Sequence, residues 1–370
     1  MKANEDQIRL MRLRAQHLSG NTADKPQDVV EAVCGVQAQD QPAGELSVAV
    51  RSPSLTLAGV NQAFQEGLLI RTWCMRGTLH LVSRRDAAWM IPFFGPVFAA
   101  TNSRRFAQLG WDRDKAEIAI RLIHRALEDQ GSLTREEIAA LLKSNRLPYE
   151  GQATIHFIYY AAMQAVLVQG SDRGKEPTYV PFENWVGQLP RARPFAEALV
   201  ELAQRYLNAF APAAPADFSA WSGLSPKDAR QAWDSLQAEL VSLDTDRGPL
   251  WTPRSMTAWL EDPLPAGPLI RLIPRFDTYL LGYADRSLTV DLRFARRINA
   301  GGGIIHPALL VNGRVLGTWK AHRRASSIDL IIEPFEPLQL TIKLALESEI
   351  FHLAHIFNSP VNLNISAPID

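Results

Sequence analysis

The sequence predicts an α+β protein in which helical segments end in two-stranded hairpins and a strand-rich segment follows them. Through residues 1–264, apolar residues recur at helical spacing, and short β-rich runs interrupt this pattern at intervals. After Pro263 the pattern changes to alternating strands. At 370 residues the chain is too long for one ordinary core, so we expect several domains.

The first predicted domain, residues 1–110, consists of helices followed by a hairpin. The apolar spacing predicts helices over Asp6–Leu18, Pro26–Val33, Pro42–Val50 and Thr56–Phe64. Two β-rich runs follow at Leu68–Trp73 and Thr78–Val82, with Gly77 in the turn between them. Helices followed by a two-stranded wing are the plan of the winged-helix domain, a relative of the helix-turn-helix.

Two weaker copies of this pattern are predicted over residues 111–192 and 193–264. In the first of these copies, we expect Thr134 to cap a short helix while Glu137 completes a capping box. In the other copy, Ser225-Pro226 starts a helix. The remaining elements predicted here are helices over Asp114–Leu127, Ile155–Met163, Phe195–Phe210 and Pro215–Trp221 and strands at Val166–Val168, Thr178–Val180, Leu240–Leu243 and Pro249–Trp251. The sequence therefore predicts three tandem winged-helix domains.

The last predicted domain, residues 265–370, is rich in strands. Alternation predicts strands at Leu269–Ile273, Ile304–Ile305, Ala308–Val311, Val315–Trp319 and Ile328–Ile332. Asn312-Gly313 is the strongest short hairpin signal in the chain, and a final helix is predicted over Leu338–Ile356. We interpret this segment as a small antiparallel β-sheet or barrel covered by a C-terminal helix.

The composition, 46% hydrophobic and 21% charged, is typical of a folded soluble protein. No run approaches the roughly 18 apolar residues of a membrane span, and the charged residues 1–14 lack a signal-peptide core. Cys34 and Cys74 form no disulfide framework, and neither they nor the eight histidines show metal-ligand spacing. We therefore expect a cytoplasmic protein without a membrane anchor, metal or cofactor.

The charge is distributed unevenly along the chain. Its net value is zero, which argues against a uniformly basic, histone-like binder. Residues 1–110 nevertheless contain 12 basic and 9 acidic residues, a net +3, and residues 265–330 contain 10 basic and 4 acidic residues, a net +6. Two locally basic segments can present a basic face to phosphates.

The segment Gly35–Pro42 is rich in carboxamides and joins two predicted helices. If it is extended, as its position before a proline favours, Gln37 and Gln39 point to the same side. Two neighbouring carboxamides can hold a water molecule in a fixed orientation, because each has an acceptor and two donors, but neither is a strong base. On spacing alone, the alternative is a polar loop whose glutamines cap helix ends.

Three stretches, Gln37–Gln39, Arg71–His80 and Phe276–Arg286, resemble a bacterial family of winged-helix DNA glycosylases. The late hairpin His306–Trp319 extends the resemblance along nearly the whole chain. The family includes an azinomycin-resistance branch that unhooks interstrand crosslinks, and its catalytic motif is Gln-x-Gln or Gln-x-Asp. The resemblance implies that Gln37 and Gln39 are catalytic, in the Gln-x-Gln form of that branch.

The reaction implied by this resemblance is hydrolysis of the N-glycosidic bond of N7-alkylated guanine, including bulky adducts and interstrand crosslinks. The alkylated base is positive and departs neutral, so a general acid is less necessary. The remaining tasks are to stabilise an oxocarbenium-like sugar and to position water, which oriented dipoles can do. No lysine adjoins the motif to form a Schiff base, so we expect a monofunctional glycosylase. We expect the Asp40 side chain to face away from the glutamines. A contribution of its negative charge to the electrostatic potential near the sugar is left open.

Further polar residues are candidates for contacts with DNA or for ion pairs. The predicted DNA-binding residues are Arg71, Arg76, His80, Lys320, His322, Arg323 and Arg324. The alternatives are simple surface charge for the cations and a buried, hydrogen-bonded histidine for His80. For Asp277 and Asp285, with Arg275 and Arg286 nearby, we expect a structural ion-pair network rather than an acid–base pair.

The expected partner is double-stranded DNA bearing alkylated guanine, in DNA repair or in self-resistance to a genotoxin. Three tandem domains in one chain make a monomer sufficient. The competing hypothesis is a noncatalytic winged-helix protein, either a regulator or a lesion-binding resistance protein. The paired glutamines and the lack of an obvious effector domain favour the enzyme.

Overall fold

A computed structural model describes residues 1–20, 23–191, 193–263 and 265–368, apart from the side chains of Thr101 and Ser103. The chain packs as two compact units. The first unit contains Met1–Asn61 and Leu199–Asp370, and the second contains Gln62–Ala198.

Helices and strands alternate irregularly along the chain. The α-helices are α1 (Glu5–Ala15), α2 (Pro26–Ala32), α3 (Gln41–Ala49), α4 (Leu57–Gln65), α5 (Arg84–Gln108), α6 (Arg113–Gln130), α7 (Arg135–Ser144), α8 (Ala153–Met163), α9 (Phe182–Trp185), α10 (Phe195–Phe210), α11 (Pro215–Ser222), α12 (Pro226–Leu236), α13 (Thr278–Leu281), α14 (Ala295–Ile298) and α15 (Leu340–Phe357). The strands are β1 (Val36–Gln37), β2 (Leu69–Trp73), β3 (Leu79–Ser83), β4 (Leu133–Thr134), β5 (Leu167–Gln169), β6 (Thr178–Pro181), β7 (Leu240–Leu243), β8 (Leu250–Pro253), β9 (Ile270–Ile273), β10 (Asn299–Gly301), β11 (Ile304–Ile305), β12 (Ala308–Val311), β13 (Arg314–Arg323), β14 (Ile328–Pro334) and β15 (Val361–Ile365). Short 3₁₀ turns lie at Met75–Gly77, Gln237–Glu239, Arg254–Leu260 and Leu292–Phe294.

The first unit contains a five-stranded sheet in the order β15-β14-β13-β12-β9. Neighbouring strands are antiparallel except β14 and β15, which are parallel. The expectation of an antiparallel sheet is therefore wrong for the last strand. A parallel pair needs a long crossover, and α15 supplies it between β14 and β15. Glu349 on α15 accepts a hydrogen bond from the backbone N–H of Leu272 on β9 at 2.7 Å, which fixes the covering helix to the far edge strand.

The sequence prediction omits β15, although the signal is present. Residues 361–365 alternate between aliphatic residues and asparagine, and the exposure of these residues alternates in the same way. The short length of this run beside the end of the chain hides it among loop residues.

The predicted hairpin at Asn312-Gly313 is confirmed. Val311 on β12 lies opposite Arg314 on β13, and the two turn residues have φ values of +49° and +77°. Positive φ at both central residues matches the right-handed twist of the flanking strands, which is why this dipeptide predicts the turn. A Cβ atom on Gly313 would lie 2.7 Å from the Tyr279 hydroxyl oxygen, so packing also favours glycine here.

Within the second unit the strands lie in the order β3-β2-β5-β6-β4, and each neighbouring pair is antiparallel. Both predicted hairpins, β2/β3 and β5/β6, are confirmed. The capping box is also confirmed: Thr134 Oγ1 accepts from the Glu137 N–H at 3.2 Å, and the Glu137 carboxylate accepts from the Thr134 N–H at 2.7 Å.

The longest described helix, the 25-residue α5, is absent from the sequence prediction. Pro92 and Pro96 lie inside it, and proline normally breaks or kinks a helix because it lacks the N–H donor. Gly95 lies between them, where a Cβ atom would be 2.1 Å from the carbonyl oxygen of Met163. The close approach of α5 to the end of α8 therefore requires glycine at position 95. This constraint comes from tertiary packing and is not visible in the local sequence pattern.

The α+β class is confirmed by this mixture of helices and small sheets. The division into domains 1–110, 111–192, 193–264 and 265–370 stays a prediction, because the two units are defined by compactness and each can contain several domains. None of the described helices combines the length and the apolar composition that a membrane span requires.

A buried ion pair ties α3 to the segment before α13. The side chains of Arg51 and Asp277 are fully buried, and the guanidinium donates to both carboxylate oxygens at 2.8 Å. The Ser47 hydroxyl donates to the same carboxylate at 2.7 Å, and the Tyr279 N–H donates at 2.9 Å. Because an uncompensated buried carboxylate is costly, these donors fix α3 against residues 275–279.

We expect Asp277→Ala to lower the free energy of unfolding by about 3–5 kcal/mol, because the Arg51 guanidinium then lacks its buried counterion. Urea unfolding followed by circular dichroism measures this loss. The matched control is Asp262→Ala, which removes an exposed pair with Arg14 whose side chains are 54% and 45% exposed. That change is expected to cost at most about 1 kcal/mol, and equal losses in the two variants would contradict the argument.

Candidate active site

The Gln37–Gln39 segment is extended, and the two glutamine amides meet. Gln37 ends β1, and its Nε2 donates to Gln39 Oε1 at 3.0 Å. The side chains at positions i and i+2 therefore share one side, as the sequence predicts for an extended segment. Gln37 is buried, 7% exposed, whereas Gln39 is exposed. The Gln37 amide is thus surrounded by the protein, while Gln39 is accessible to solvent.

Asp40 anchors this segment to α3. One carboxylate oxygen caps the helix by accepting from the Ala43 N–H at 3.1 Å, and the other accepts from Arg275 Nη1 at 3.2 Å. The helix begins at once after the glutamine pair, because Asp40 satisfies one of its terminal donors and Pro42 occupies its first turn. Asp40 therefore links the glutamine segment both to the start of α3 and to Arg275.

Gly44 on α3 provides the surface against which the Gln37–Gln39 segment packs. A Cβ atom at this position would lie 2.9 Å from the Ala38 Cβ and 3.3 Å from the Gln37 carbonyl oxygen. The residue between the two glutamines therefore contacts the helix backbone directly. A larger residue at position 44 would push the glutamine pair away from α3.

Residues 275–277 contact both ends of α3. Arg275 bonds to Asp40 at the start of the helix, and Asp277 bonds to Ser47 and Arg51 near its end. Phe276 between them has a φ of +58°, which is costly for a bulky residue and persists only when the surroundings impose it. This three-residue segment holds the helix that presents the glutamine pair.

Sequence reasoning missed the positioning roles of Gly44, Arg275 and Asp277. The stretch Phe276–Arg286 carries part of the family resemblance. The sequence nevertheless suggests the wrong ion-pair partners for its two aspartates. Asp277 pairs with Arg51, which is 226 residues away in the sequence, rather than with Arg275. Asp285 accepts from Ser287 and lies 3.9 Å from Arg247. Both aspartates therefore belong to structural networks, whose partners depend on tertiary packing.

The predicted wing residues of the second unit differ in accessibility. Arg71 on β2 is 7% exposed and donates through Nη1 to Gln169 Oε1 on β5 at 2.6 Å. Arg76 lies in the turn, is half-buried and has a φ of +55°. Because the Arg71 guanidinium is buried in the sheet, it is not simple surface charge; contact with DNA stays a prediction for both arginines.

His80 on β3 is a buried, hydrogen-bonded histidine, 2% exposed. Its Nδ1–H donates to the Thr78 carbonyl oxygen at 2.8 Å. Burial, together with the nearby charge of Arg76, lowers the pKa of His80 from 6.5 to about 3, against the smaller opposing effect of the Thr78 bond. The ring is therefore neutral near pH 7, which disfavours direct phosphate binding.

The predicted basic run of the first unit is exposed. It begins on β13 and continues into the following turn, and its members are Lys320, His322, Arg323 and Arg324. Lys320 pairs with Glu333 at 2.8 Å, and Arg324 pairs with Asp329 at 2.7 Å. The side chains of these two cations are 60% and 66% exposed, so both remain accessible to an anion.

The part of the chain that the structure describes contains no ready set of metal ligands. Across those residues, no group of three or more His, Cys, Asp and Glu side chains is placed to hold an ion. Cys34 and Cys74 are buried and are not joined by a disulfide.

The chain is similar to known DNA glycosylases over most of its length. The family model described as DNA glycosylase AlkZ-like matches residues 30–356. The interstrand DNA cross-link repair glycosylase of Streptomyces sahachiroi is 27% identical over 375 residues, which is 96% of each protein. The solved structure of Streptomyces sahachiroi DNA glycosylase AlkZ covers 99% of this chain and 100% of that chain, with a TM-score of 0.86 and 25% identity. These matches confirm the family that the motifs indicate.

We expect Gly44→Ala to displace the glutamine pair and to destabilise the protein by about 1–3 kcal/mol through overpacking. Side-chain amide NMR resonances, assigned with Gln37→Ala and Gln39→Ala, would report the displacement. The matched control is Gly59→Ala on α4, where the added Cβ would come no closer than 3.5 Å to Thr56. That variant is expected to gain up to about 1 kcal/mol from helix propensity and to leave the amide signals in place. Unchanged signals in Gly44→Ala would refute the packing role.

We also expect His80 to make stability depend on pH below its unfolded pKa of 6.5. The unfolded ring takes up a proton between pH 6.5 and about 3 while the folded ring does not. The stability linked to His80 is therefore fully present above pH 6.5 and decreases as the pH falls toward 3. Between pH 7 and 5, the wild type should lose about 2 kcal/mol more than His80→Asn in urea titrations. Parallel pH profiles in the two proteins would contradict this.

Proposed function

The chain belongs to the AlkZ-like family of DNA glycosylases, and from this membership we propose that it hydrolyses the N-glycosidic bond of N7-alkylated guanine in duplex DNA. Its substrates would include bulky adducts and interstrand crosslinks. The similarity to a Streptomyces cross-link repair glycosylase over 96% of the chain supports the crosslink substrate. Either DNA repair or self-resistance to a genotoxin fits this activity.

The observation that carries the proposal is the contact between the amides of Gln37 and Gln39, 3.0 Å apart, with Gln39 exposed. A pair of amides can orient one water molecule through a carbonyl acceptor and an N–H donor. The carbonyl oxygens also place negative partial charge where the sugar becomes an oxocarbenium-like cation. Both actions are positional and electrostatic, and neither needs a titrating group.

The chemistry of the leaving group explains why neutral side chains suffice. In N7-alkylguanine the C1′–N9 bond breaks with its electron pair passing to the cationic base, which departs neutral. The oxygen of the positioned water bonds to C1′ and its proton passes to solvent. An unmodified or otherwise neutral base would leave as an anion and need a general acid, which this pair does not provide.

The absence of lysine in residues 30–50 supports a monofunctional enzyme. A lysine beside the sugar could form a Schiff base and lead to strand cleavage, whereas a positioned water gives an abasic site and free base. We infer that Asp40 holds the loop rather than acting as a base, because helix capping and Arg275 occupy its two oxygens.

The exposed cations Lys320, His322, Arg323 and Arg324 are proposed to contact DNA phosphates. Arg76 in the wing turn is proposed to do the same. We infer that the buried Arg71 and His80 shape the wing. We also infer a monomer, since one chain carries all proposed DNA contacts. Because its proposed substrate is DNA, we infer that the enzyme is cytoplasmic.

Three winged-helix domains remain part of the proposal. Residues 111–192 follow the order helix, strand, helix, helix, hairpin, which supports the interpretation of that segment. In residues 193–264, three helices precede the hairpin of β7 and β8. In residues 1–110, the helices α1 to α4 precede the hairpin of β2 and β3.

We expect Gln37→Ala and Gln39→Ala each to lower the single-turnover rate of base release by about 10²–10³-fold, the usual cost of removing one oriented dipole. The assay is alkali cleavage of duplex DNA containing N7-methylguanine, with a second substrate that carries an N7-linked interstrand crosslink. DNA affinity, measured by fluorescence anisotropy, should change little.

The matched control is Gln41→Ala, which removes a neighbouring carboxamide whose Nε2 donates to Glu45 at 3.0 Å. This variant should keep its rate within a few-fold of wild type. A wild-type protein that binds damaged duplex but releases no base would favour the noncatalytic regulator or lesion-binding protein instead.

A further inference from the structure

An open groove in the first unit gathers cations from elements that are distant in sequence. Its basic lining consists of Arg275, Arg297, His306, Lys320 and His322. One carboxylate, Glu333, also lines it and pairs with Lys320 at 2.8 Å. The lysine and the two arginines carry three positive charges against the two negative charges of Glu333 and of Asp40, which pairs with Arg275. The groove therefore keeps a net positive charge, which suits an anionic ligand.

The groove is held by rigid structure rather than by loops alone. Trp319 lies beside Lys320 on β13, and its Nε1–H donates to the Ile273 carbonyl oxygen on β9 at 2.8 Å. This bond fixes the strand that carries Lys320 to the strand that leads into Arg275. The spacing between the backbone positions of Lys320 and Arg275 is therefore set without a ligand.

Arg275 connects this groove to the glutamine pair. Its side chain is 42% exposed and lines the groove, while its Nη1 donates to Asp40 at 3.2 Å. A guanidinium has five N–H donors in a planar fork, so it can hold one carboxylate and one phosphate at the same time. Asp40 follows Gln39 directly and caps the helix that begins after it.

We propose that the groove binds a backbone phosphate of the damaged strand and that Arg275, bridging this phosphate to Asp40, positions Gln39 for base release. The inference rests on the proposed function and adds a phosphate subsite and a positioning residue to it. The glycosidic bond starts at C1′ of a sugar in the same backbone as the phosphate, so a bound phosphate restricts the distance from that sugar to Gln39. The bridge thereby couples DNA binding to the geometry of the amide pair.

The test compares four variants in two measurements. The first is the slope of log binding constant against log salt concentration, obtained by anisotropy with undamaged duplex. The second is the single-turnover rate of base release at saturating N7-methylguanine duplex. A purely structural role would change stability without changing the slope, and a purely electrostatic role would change the slope without changing the saturated rate.

Arg275→Gln should reduce the magnitude of the salt slope by about 0.9, the value for one lost phosphate contact. It should also lower the saturated rate by about 10- to 100-fold, because small misplacements of a catalytic group have effects of this size. Arg275→Lys should keep most of the slope and lose much of the rate, since a point charge does not bridge two anions in a fixed plane.

Asp40→Asn separates the two halves of the bridge. The amide oxygen of asparagine can still cap α3, but the charge that pairs with Arg275 is gone. We expect this variant to keep or steepen the salt slope and to lower the saturated rate. The matched control is Arg14→Gln, because Arg14 is 45% exposed and also pairs with an aspartate, Asp262, but does not line the groove. Arg14→Gln should leave the slope and the rate unchanged.

The outcomes distinguish this inference from the proposed function. If the wild type is active and Arg275→Gln matches Arg14→Gln in both measurements, the inference is wrong. If Arg275→Gln changes the slope but not the saturated rate, the phosphate subsite stands and the coupling is wrong. If the wild type releases no base, the proposed function fails, and the salt slope still decides whether Arg275 contacts a phosphate.

Discussion

The buried Asp277 carboxylate is the constraint on which the rest of the site depends. A charge with no solvent access must be matched by donors. Ser47 on α3 and Arg51 just after the end of this helix supply three hydrogen bonds to it. The helix is therefore held in one position and rotation relative to β9 and α13. The helix in turn fixes the loop before it, because Gly44 contacts Ala38 and Asp40 caps the first turn. A pair of neutral amides, of which only Gln39 is exposed, is thus held in place by a buried pair of charges.

This arrangement suits the catalysis proposed here. Amides that do not titrate act through their position, so their support matters more than their own pKa. The fold meets that need with a short, strained segment: Phe276 adopts a φ of +58°, and the bonds of Arg275 and Asp277 on either side hold it there. One of these two residues is directed to the interior and the other to the basic groove. The same backbone turn can therefore serve the stability of the helix and the recognition of a phosphate.

Local chemistry alone was enough to predict much of the scaffold. Asn312-Gly313 specifies its turn because both residues tolerate positive φ, and Thr134 with Glu137 specifies a helix start because the two side chains satisfy terminal N–H groups. The extended glutamine segment follows from the proline after it and from the period of two along a strand. In each case the interacting atoms lie within a few residues of one another.

What the sequence by itself determined is therefore the set of helices and strands with strong local signals, the α+β class, and the shared side of Gln37 and Gln39. Only the tertiary structure decided the partner of Asp277, the burial of Arg71 and His80, the survival of α5 with two internal prolines, and the parallel pairing of β15. The physical reason is the same for all four. Each involves groups that are distant in sequence, such as Arg51 for Asp277 or Gln169 for Arg71, and local periodicity contains no information about such neighbours.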